Sequence, residues 1–486
     1  MIKKILVVLF LCFSVNAATT NLDDCEQATV EAAITAATSG DTLVCPADDV
    51  TWSSLVTIPA DKTIKLLGNG GDNTKISFSG TAIESLSAGS QITGFWFYKT
   101  GANTSTLISI KNTGWRIDHN KIENSYNNNY LTYWAPGVYA SGVNMSMVPE
   151  GLVDNNTMIN VKNEVIGAGN TTTKNAAWYA GSKLGTSEAV YFEDNIISRG
   201  AGVNSVIFDL YYGARAVFRF NIFSGSNGFM HSWQSSPENS RGVKSWEIYG
   251  NTWTLDAAFA VGTTLTGGTG IVFNEYYTAA MAGTLINNIR DMRVESESCD
   301  GDDPIDSNED AYGYVCRDQL GTGPDSNDAG ASAPSGANIT KQPAYFWNNM
   351  RSTGAVVYAS LASGLENYIV ANRDYYDYDT TFDGTTGVGA GTLASIPATC
   401  TTGVGYWATD QGDWNTLGDD GILYKCTSTD TWTEYYEPYT YPHPLRGEVS
   451  PGTSTQTGRN GINVNGTRNA VTIPGATPGR MGIVTY

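Results

Sequence analysis

Read for its alternation of apolar and polar positions, the chain divides into many short segments rather than a few long ones. One stretch, 28–37 (ATVEAAITAA), carries apolar residues at helical spacing, with Val30, Ala33, Ile34 and Ala37 on one face. It predicts one amphipathic helix. After Gly40-Asp41-Thr42 the pattern shifts to brief apolar runs at 42–45, 55–58, 64–67 and 75–78. Runs this short, bounded by turn residues, predict strands. A helix followed by regularly spaced strands reads as a cap on a stack.

The stack declares itself as a repeat. RIDHN, LVDNN, YFEDN, VFRFN, EIYGN, TLINN, YFWNN and YIVAN align on their final residues, Asn120, Asn156, Asn195, Asn221, Asn251, Asn288, Asn349 and Asn372. Three positions earlier stand Ile117, Val153, Phe192, Phe218, Ile248, Leu285, Phe346 and Ile369, all large and apolar. Two positions after the first five stand Ile122, Met158, Ile197, Phe223 and Trp253. A strand–Asn–strand unit with variable insertions is a solenoid signature. Asn suits the corner because it tolerates the left-handed conformation. Its amide can also bond to the Asn of the next coil, about 4.8 Å away.

The opening segments GDTLVCPADDVTW and IKLLGNGGDNTKI, with RIDHN, VFRFN and EIYGNTW, resemble right-handed parallel β-helix proteins of the pectate-lyase-like superfamily. CRDQLGTGPD (316–325), GYWATDQGDW (405–414) and EPYTYPHPL (437–445) resemble a subgroup of secreted β-helix proteins. The resemblance spans about residues 23–446 and implies an all-β fold. It implies a single right-handed parallel β-helix with an N-terminal helical cap and a disulfide-stapled C-terminal region. It does not imply one activity, because this fold hosts lyases, hydrolases, epimerases and adhesins. The expected organisation is a signal peptide at 1–17, cap and first coils at 18–85, and helix with long loops at 86–395. A stapled cap at 396–446 and a Gly/Thr/Asn-rich tail at 447–486 complete it.

The compartment follows from the N-terminus. Lys3 and Lys4 precede an apolar run from Ile5 to Val15, and Val15-Asn16-Ala17 fits a signal-peptidase site. The run is too short to span a bilayer, and no later stretch is long enough. A secreted or cell-surface protein is expected. Setting aside Cys12 leaves six cysteines in an oxidising compartment, in sequence-local couples Cys25 with Cys45, Cys299 with Cys316 and Cys400 with Cys426. Three structural staples are expected.

Composition narrows the partners. A hydrophobic share of 41% excludes a disordered chain, and a net charge of −20 argues against nucleic acid. The 53 Gly and 27 Tyr, with only 16% charged residues, suit short strands and tight turns.

Chemistry belongs on outward positions and loops, since inward side chains make the core. Stacking strands 205–209, 228–233 and 270–275 brings Asp209, His231 and Glu275 to equivalent strand ends. Arg215, Arg241 and Lys244 then lie across the adjoining turns. Lyase chemistry on a uronate polymer needs a cation near the carboxylate and a base near the α-proton. Glycoside hydrolysis needs two carboxylates, for which Asp209 and Glu275 are candidates. A surface ladder of ion pairs is the competing reading, and Glu193 and Arg219 are expected to form one such pair. Trp134, Trp178, Tyr179, Lys183 and Lys244 are candidate contacts for sugar rings and their acidic groups. Packing within their own loops is the competing reading for these aromatics.

Asp306, Asn308 and Asp310 begin like a calcium loop, but Ala311 replaces its turn Gly and no Glu follows at the twelfth position. They are candidate ligands for a weak Ca2+ site, against the simpler reading of a solvated acidic loop. The tail contains Arg459, Arg468 and Arg480 and no acid after Glu448. It reads either as a polar extension or as a segment for self-association. Two functions remain in view. One is a secreted protein that binds and cleaves an extracellular polysaccharide by lyase or hydrolase chemistry. The other is a non-catalytic adhesin or fibre subunit assembling through 447–486.

Overall fold

The computed structural model describes residues 17–80, 82–100, 107–124, 138–141, 150–161, 163–166, 178, 181–199, 208–225, 230–232, 242–255, 262–278, 287–289, 318–325, 339–366, 369–418 and 420–447. Residues 1–16 of the expected signal peptide (1–17), the expected Cys299–Cys316 couple and residues 448–486 lie outside them.

Almost every described element is a short strand, and through the stack successive strands join different sheets. A 12-stranded sheet (sheet A) and two 10-stranded sheets (B and C) each take roughly every third strand along the chain. Their pairs are parallel throughout, as in Phe208–Tyr211 beside Met230–Ser232. The chain therefore winds through A, B and C in turn, coil upon coil, as a parallel β-helix. Among the described residues one α-helix, Gln27–Ala36, packs Val30 and Ile34 into the core of the first coils.

Period-2 alternation explains the core. In sheet B the inward column runs Ile122, Met158, Ile197, Phe223, Trp253, Tyr277. Its rings stack, with Phe223 and Trp253 centroids 4.2 Å apart. In sheet A, Phe192 and Phe218 stack at 5.1 Å. These are the apolar positions flanking the repeated Asn.

The A-to-B corner corrects one expectation. The left-handed residue is the one before each Asn: His119, Asn155, Asp194, Phe220 and Gly250 have φ between 53° and 68°. The Asn itself serves the ladder. Nδ2 of Asn120, Asn156, Asn195 and Asn221 donates to the Oδ1 of Asn156, Asn195, Asn221 and Asn251 at 2.9–3.1 Å. Two aligned residues are not rungs. Asn288 lies within a strand of sheet C beside Thr264, and Asn372 accepts from the Gly387 N–H instead.

The outer face of sheet A is closed over by a second core. Val388–Gly391, Gly405–Ala408, Ile422–Ser428 and Thr431–Tyr436 form a four-stranded sheet. Trp407, Trp414, Leu423 and Tyr436 pack against Tyr249, Phe273, Tyr345 and Trp347 of sheet A. Disulfides Cys25–Cys45 and Cys400–Cys426 are both formed. Glu193 and Arg219 pair as expected, at 2.6 Å, but both are fully buried rather than on a surface ladder. The guanidinium also donates to the carbonyls of Tyr439 and Thr440, which ties down the C-terminal segment.

Candidate functional site

Sheet C carries the candidate site because its middle column is unlike the rest of the stack. Phe208 and Leu210 point into the core, so Asp209 between them faces outward. Register puts Glu164 beside Asp209 on one side and His231 on the other. Farther along the same column come Thr264, Asn288 and Ser360. At the other end, Glu84 pairs with Lys111. Asp209 and His231 are thus register neighbours, one coil apart. Asp209 is only 3% exposed, so other parts of the chain cover it.

Glu275 is not in this column, and that expectation is corrected. Strand Thr269–Phe273 belongs to sheet A, so Glu275 falls at the A-to-B corner, in the ladder. Its Oε1 accepts from the backbone N–H and Nδ2 of Asn251, both at 2.9 Å, and Oε2 accepts from the Trp253 indole. Its own N–H donates to Asn349 Oδ1 at 3.1 Å. Burial pushes its carboxyl up to about 8. It completes the ladder between Asn251 and Asn349.

The C-to-A corner collects the charges. A tight turn, Tyr212-Gly213-Ala214, carries the chain from Asp209's strand to Arg215, with the Gly213 N–H donating to Gly242 O at 2.7 Å. Arg215 Nη1 reaches Glu188 Oε2 at 3.4 Å, and Lys183 Nζ holds Glu188 Oε1 at 2.9 Å. Lys183 and Glu188 have side chains 39% exposed, whereas Arg215 is buried behind them. Lys183 holds the Glu188 carboxyl below the usual range. Burial, then the charge of Glu188, raises that of Glu150. Burial lowers Arg215, whose Nε has no hydrogen-bond partner among the described residues.

Lys244 and Trp178 meet at this corner but as packing, which corrects their assignment to sugar contact. Both are buried, and the Lys244 ammonium sits 3.8 Å from the indole centroid. Trp178 Nε1 donates to Val243 O at 3.3 Å. The indole face takes over part of the role of solvent for the ammonium. Beneath the 182–188 loop, Glu247 accepts from the Gly185 N–H at 2.9 Å and the Tyr436 hydroxyl at 2.6 Å. Burial raises it to about 7. Arg241, Trp134, Tyr179 and the calcium candidates Asp306, Asn308 and Asp310 lie outside the described residues. Among the described residues no group of three or more His, Cys, Asp or Glu could hold a metal ion. No helix among them is long and apolar enough to cross a membrane.

Glu164, Glu150 and Glu188 were missed by sequence reasoning. Glu150 was legible in principle: like Arg215, which was expected, it immediately precedes a strand position that pairs with Val190, with small Ala189 between them.

No family model matches the sequence, and no curated protein matches it. Solved structures do match. One is a mannuronic acid specific polysaccharide family 6 lyase from human gut microbiota, 13% identical with TM-score 0.35, covering 58% of this chain and 71% of that one. A mutant of the PL6 family alginate lyase AlyGC is 12% identical with TM-score 0.37, covering 90% of this chain and 60% of that one. The catalytic domain of a GH87 alpha-1,3-glucanase in complex with nigerose is 14% identical with TM-score 0.31, covering 56% of this chain and 52% of that one. At such identities and TM-scores the likeness carries no argument, and the fold rests on the chain's own three parallel sheets. The chain is a parallel β-helix protein with polysaccharide lyases and glucanases among its structural neighbours.

Proposed function

We propose that this chain is a secreted right-handed parallel β-helix protein, capped by its N-terminal helix, that binds an extracellular acidic polysaccharide along sheet C and cleaves it. The observation that carries the reading is the register pair Asp209–His231, with Glu164 on the adjoining coil. Two acids and then a histidine on successive rungs suit proton transfer at a polymer lying along the stack. Lys183, at the rim, meets the polymer's carboxylates. Arg215, behind Glu188, adds positive potential where negative charge develops.

Two chemistries fit this set. In a lyase, His231 takes the proton α to a uronate carboxylate, the C–H pair becomes the new C=C bond, and the glycosidic oxygen leaves with its bonding pair and takes a proton from water. In a hydrolase, Glu164 and Asp209 supply the two carboxyls from adjacent rungs, whose backbones lie about 4.8 Å apart. The product separates them. A lyase leaves an unsaturated uronate that absorbs in the ultraviolet, whereas a hydrolase yields a new reducing end without it. Binding without either product would support the adhesin reading.

A further inference from the structure

We infer that the outer face of sheet B is the docking surface for the chain's own residues 448–486. Sheet A has its outer face covered by the C-terminal sheet. Sheet B has no such cover among the described residues. Its inward column is Met158, Ile197, Phe223, Trp253 and Tyr277. From Thr157 onward, alternation turns Ile159, Ile196, Ile222, Tyr276 and Met350 outward with Thr and Ser between them, whereas the earlier coils of the same face carry Asp49, Lys75, Lys121 and Glu123. Ile196 is 40% exposed, and the other four are partly exposed. An uncharged stretch of outer face with a run of partly exposed Ile, Tyr and Met is unusual for a protein in water.

The chain is delivered to the rim of that face. Arg446 is held by Glu193 at 2.6 Å, Asp194 at 2.5 Å and Asp154 at 3.4 Å, all at the A-to-B corner. Arg116 Nη1 donates to the Arg446 carbonyl at 3.1 Å, fixing the backbone as well as the side chain. Asp194 lies two residues before Ile196, so Gly447 leaves beside the first outward column of sheet B. From Ile196 to Met350 the face spans four rungs, about 19 Å, which roughly six extended residues cover.

The occupant's chemistry fits. The sequence of residues 448–486 spaces Ile462 with Val464, and Val471 with Ile473, as a strand would, and it carries three Arg in a chain whose net charge is −20. Tethering one end at Arg446 gives the segment an effective concentration in the millimolar range, an advantage no second copy has.

Trypsin tests this on the full chain. Cleavage after Arg459, Arg468 and Arg480 should be at least about tenfold slower in the parent than in Ile196→Asp/Ile222→Asp, because protection follows the docked population. Equal rates overturn the proposal. So does protection that grows with protein concentration, which would mark a second copy as the occupant. A second measurement does not depend on the variant folding well: p-benzoylphenylalanine at position 276 should photo-crosslink to residues 448–486 of the same molecule. Crosslinks only to another copy, or none, would overturn it.

Discussion

The Glu275 carboxyl accepts from both the backbone N–H and the side-chain amide of Asn251 at 2.9 Å, so an acid fills a rung that the coils before and after give to asparagine. An Asn rung donates back to the preceding coil, as Asn251 does to the Phe218 carbonyl at 2.8 Å. A carboxylate cannot donate, and being buried it is costly to ionise.

This substitution makes stability pH-dependent. The folded value of about 8 lies above the ordinary 4.5, so the folded state holds the proton more tightly than the unfolded one. Its contribution is complete below about pH 4.5 and is lost as pH rises towards 8. Glu247 and Asp377, both raised to about 7 by burial, act in the same direction over a narrower window. Glu275→Asn should therefore flatten, without abolishing, the fall in melting temperature between pH 5 and pH 8. Thermal melts of both proteins across that range decide it. Parallel curves would remove Glu275 as a cause.

Arg219 offers a test of the second core. With Glu193 it forms an ion pair from which water is excluded, and it donates to two carbonyls of the C-terminal segment. Removing one partner of such a pair costs about 3–5 kcal/mol. Arg219→Met should lower the stability measured by urea unfolding by that amount and expose 437–447 to proteolysis. A loss below about 1 kcal/mol would mean the pair is not a significant tie.

The disulfide Cys400–Cys426 closes a loop of sequence separation 26 in the four-stranded sheet. Loops of this length add roughly 3 kcal/mol by restricting the unfolded chain. Cys400→Ser/Cys426→Ser should unfold the C-terminal sheet at a lower temperature than the parallel sheets. Circular dichroism melts with tryptophan fluorescence, sensitive to Trp407 and Trp414, would show two transitions. An unchanged single transition would contradict this.

Lys183 separates binding from stability. Its contact with Glu188 is a surface pair, worth about 1 kcal/mol or less. Lys183→Ala should leave the melting temperature nearly unchanged while raising KM for an acidic polysaccharide several-fold, with less effect in high salt. An unchanged KM would remove Lys183 from the binding surface.

The stack was legible because its signal is local. An apolar residue three before Asn and another two after it report a corner and the two strands it joins, and five consecutive rungs follow. The pattern failed where chemistry at the rung changed. Val272-Phe273-Asn274-Glu275 keeps the spacing, but the acid hid it, and the Asn288 segment filled the gap in the alignment. The site was legible only in part. Asp209 and His231 share a column because both are the middle residues of equivalent strands, which periodicity gives directly. Burial of Trp178 over Lys244 depends on a contact between separate loops, for which no one-dimensional pattern exists. Glu188 was missed for the same reason, since its partners come from a loop and the far side of a turn.

The central claim is that the column holding Asp209 and His231 acts on an acidic polysaccharide. Its most direct test is turnover of a panel of uronate polymers, following ultraviolet absorbance and new reducing ends, by the parent chain and by His231→Ala and Asp209→Asn. The account predicts turnover by the parent and a fall in kcat of about 10²-fold or more in each variant, with melting temperatures unchanged. Variants as active as the parent, or a parent that turns over none of the polymers, would contradict it.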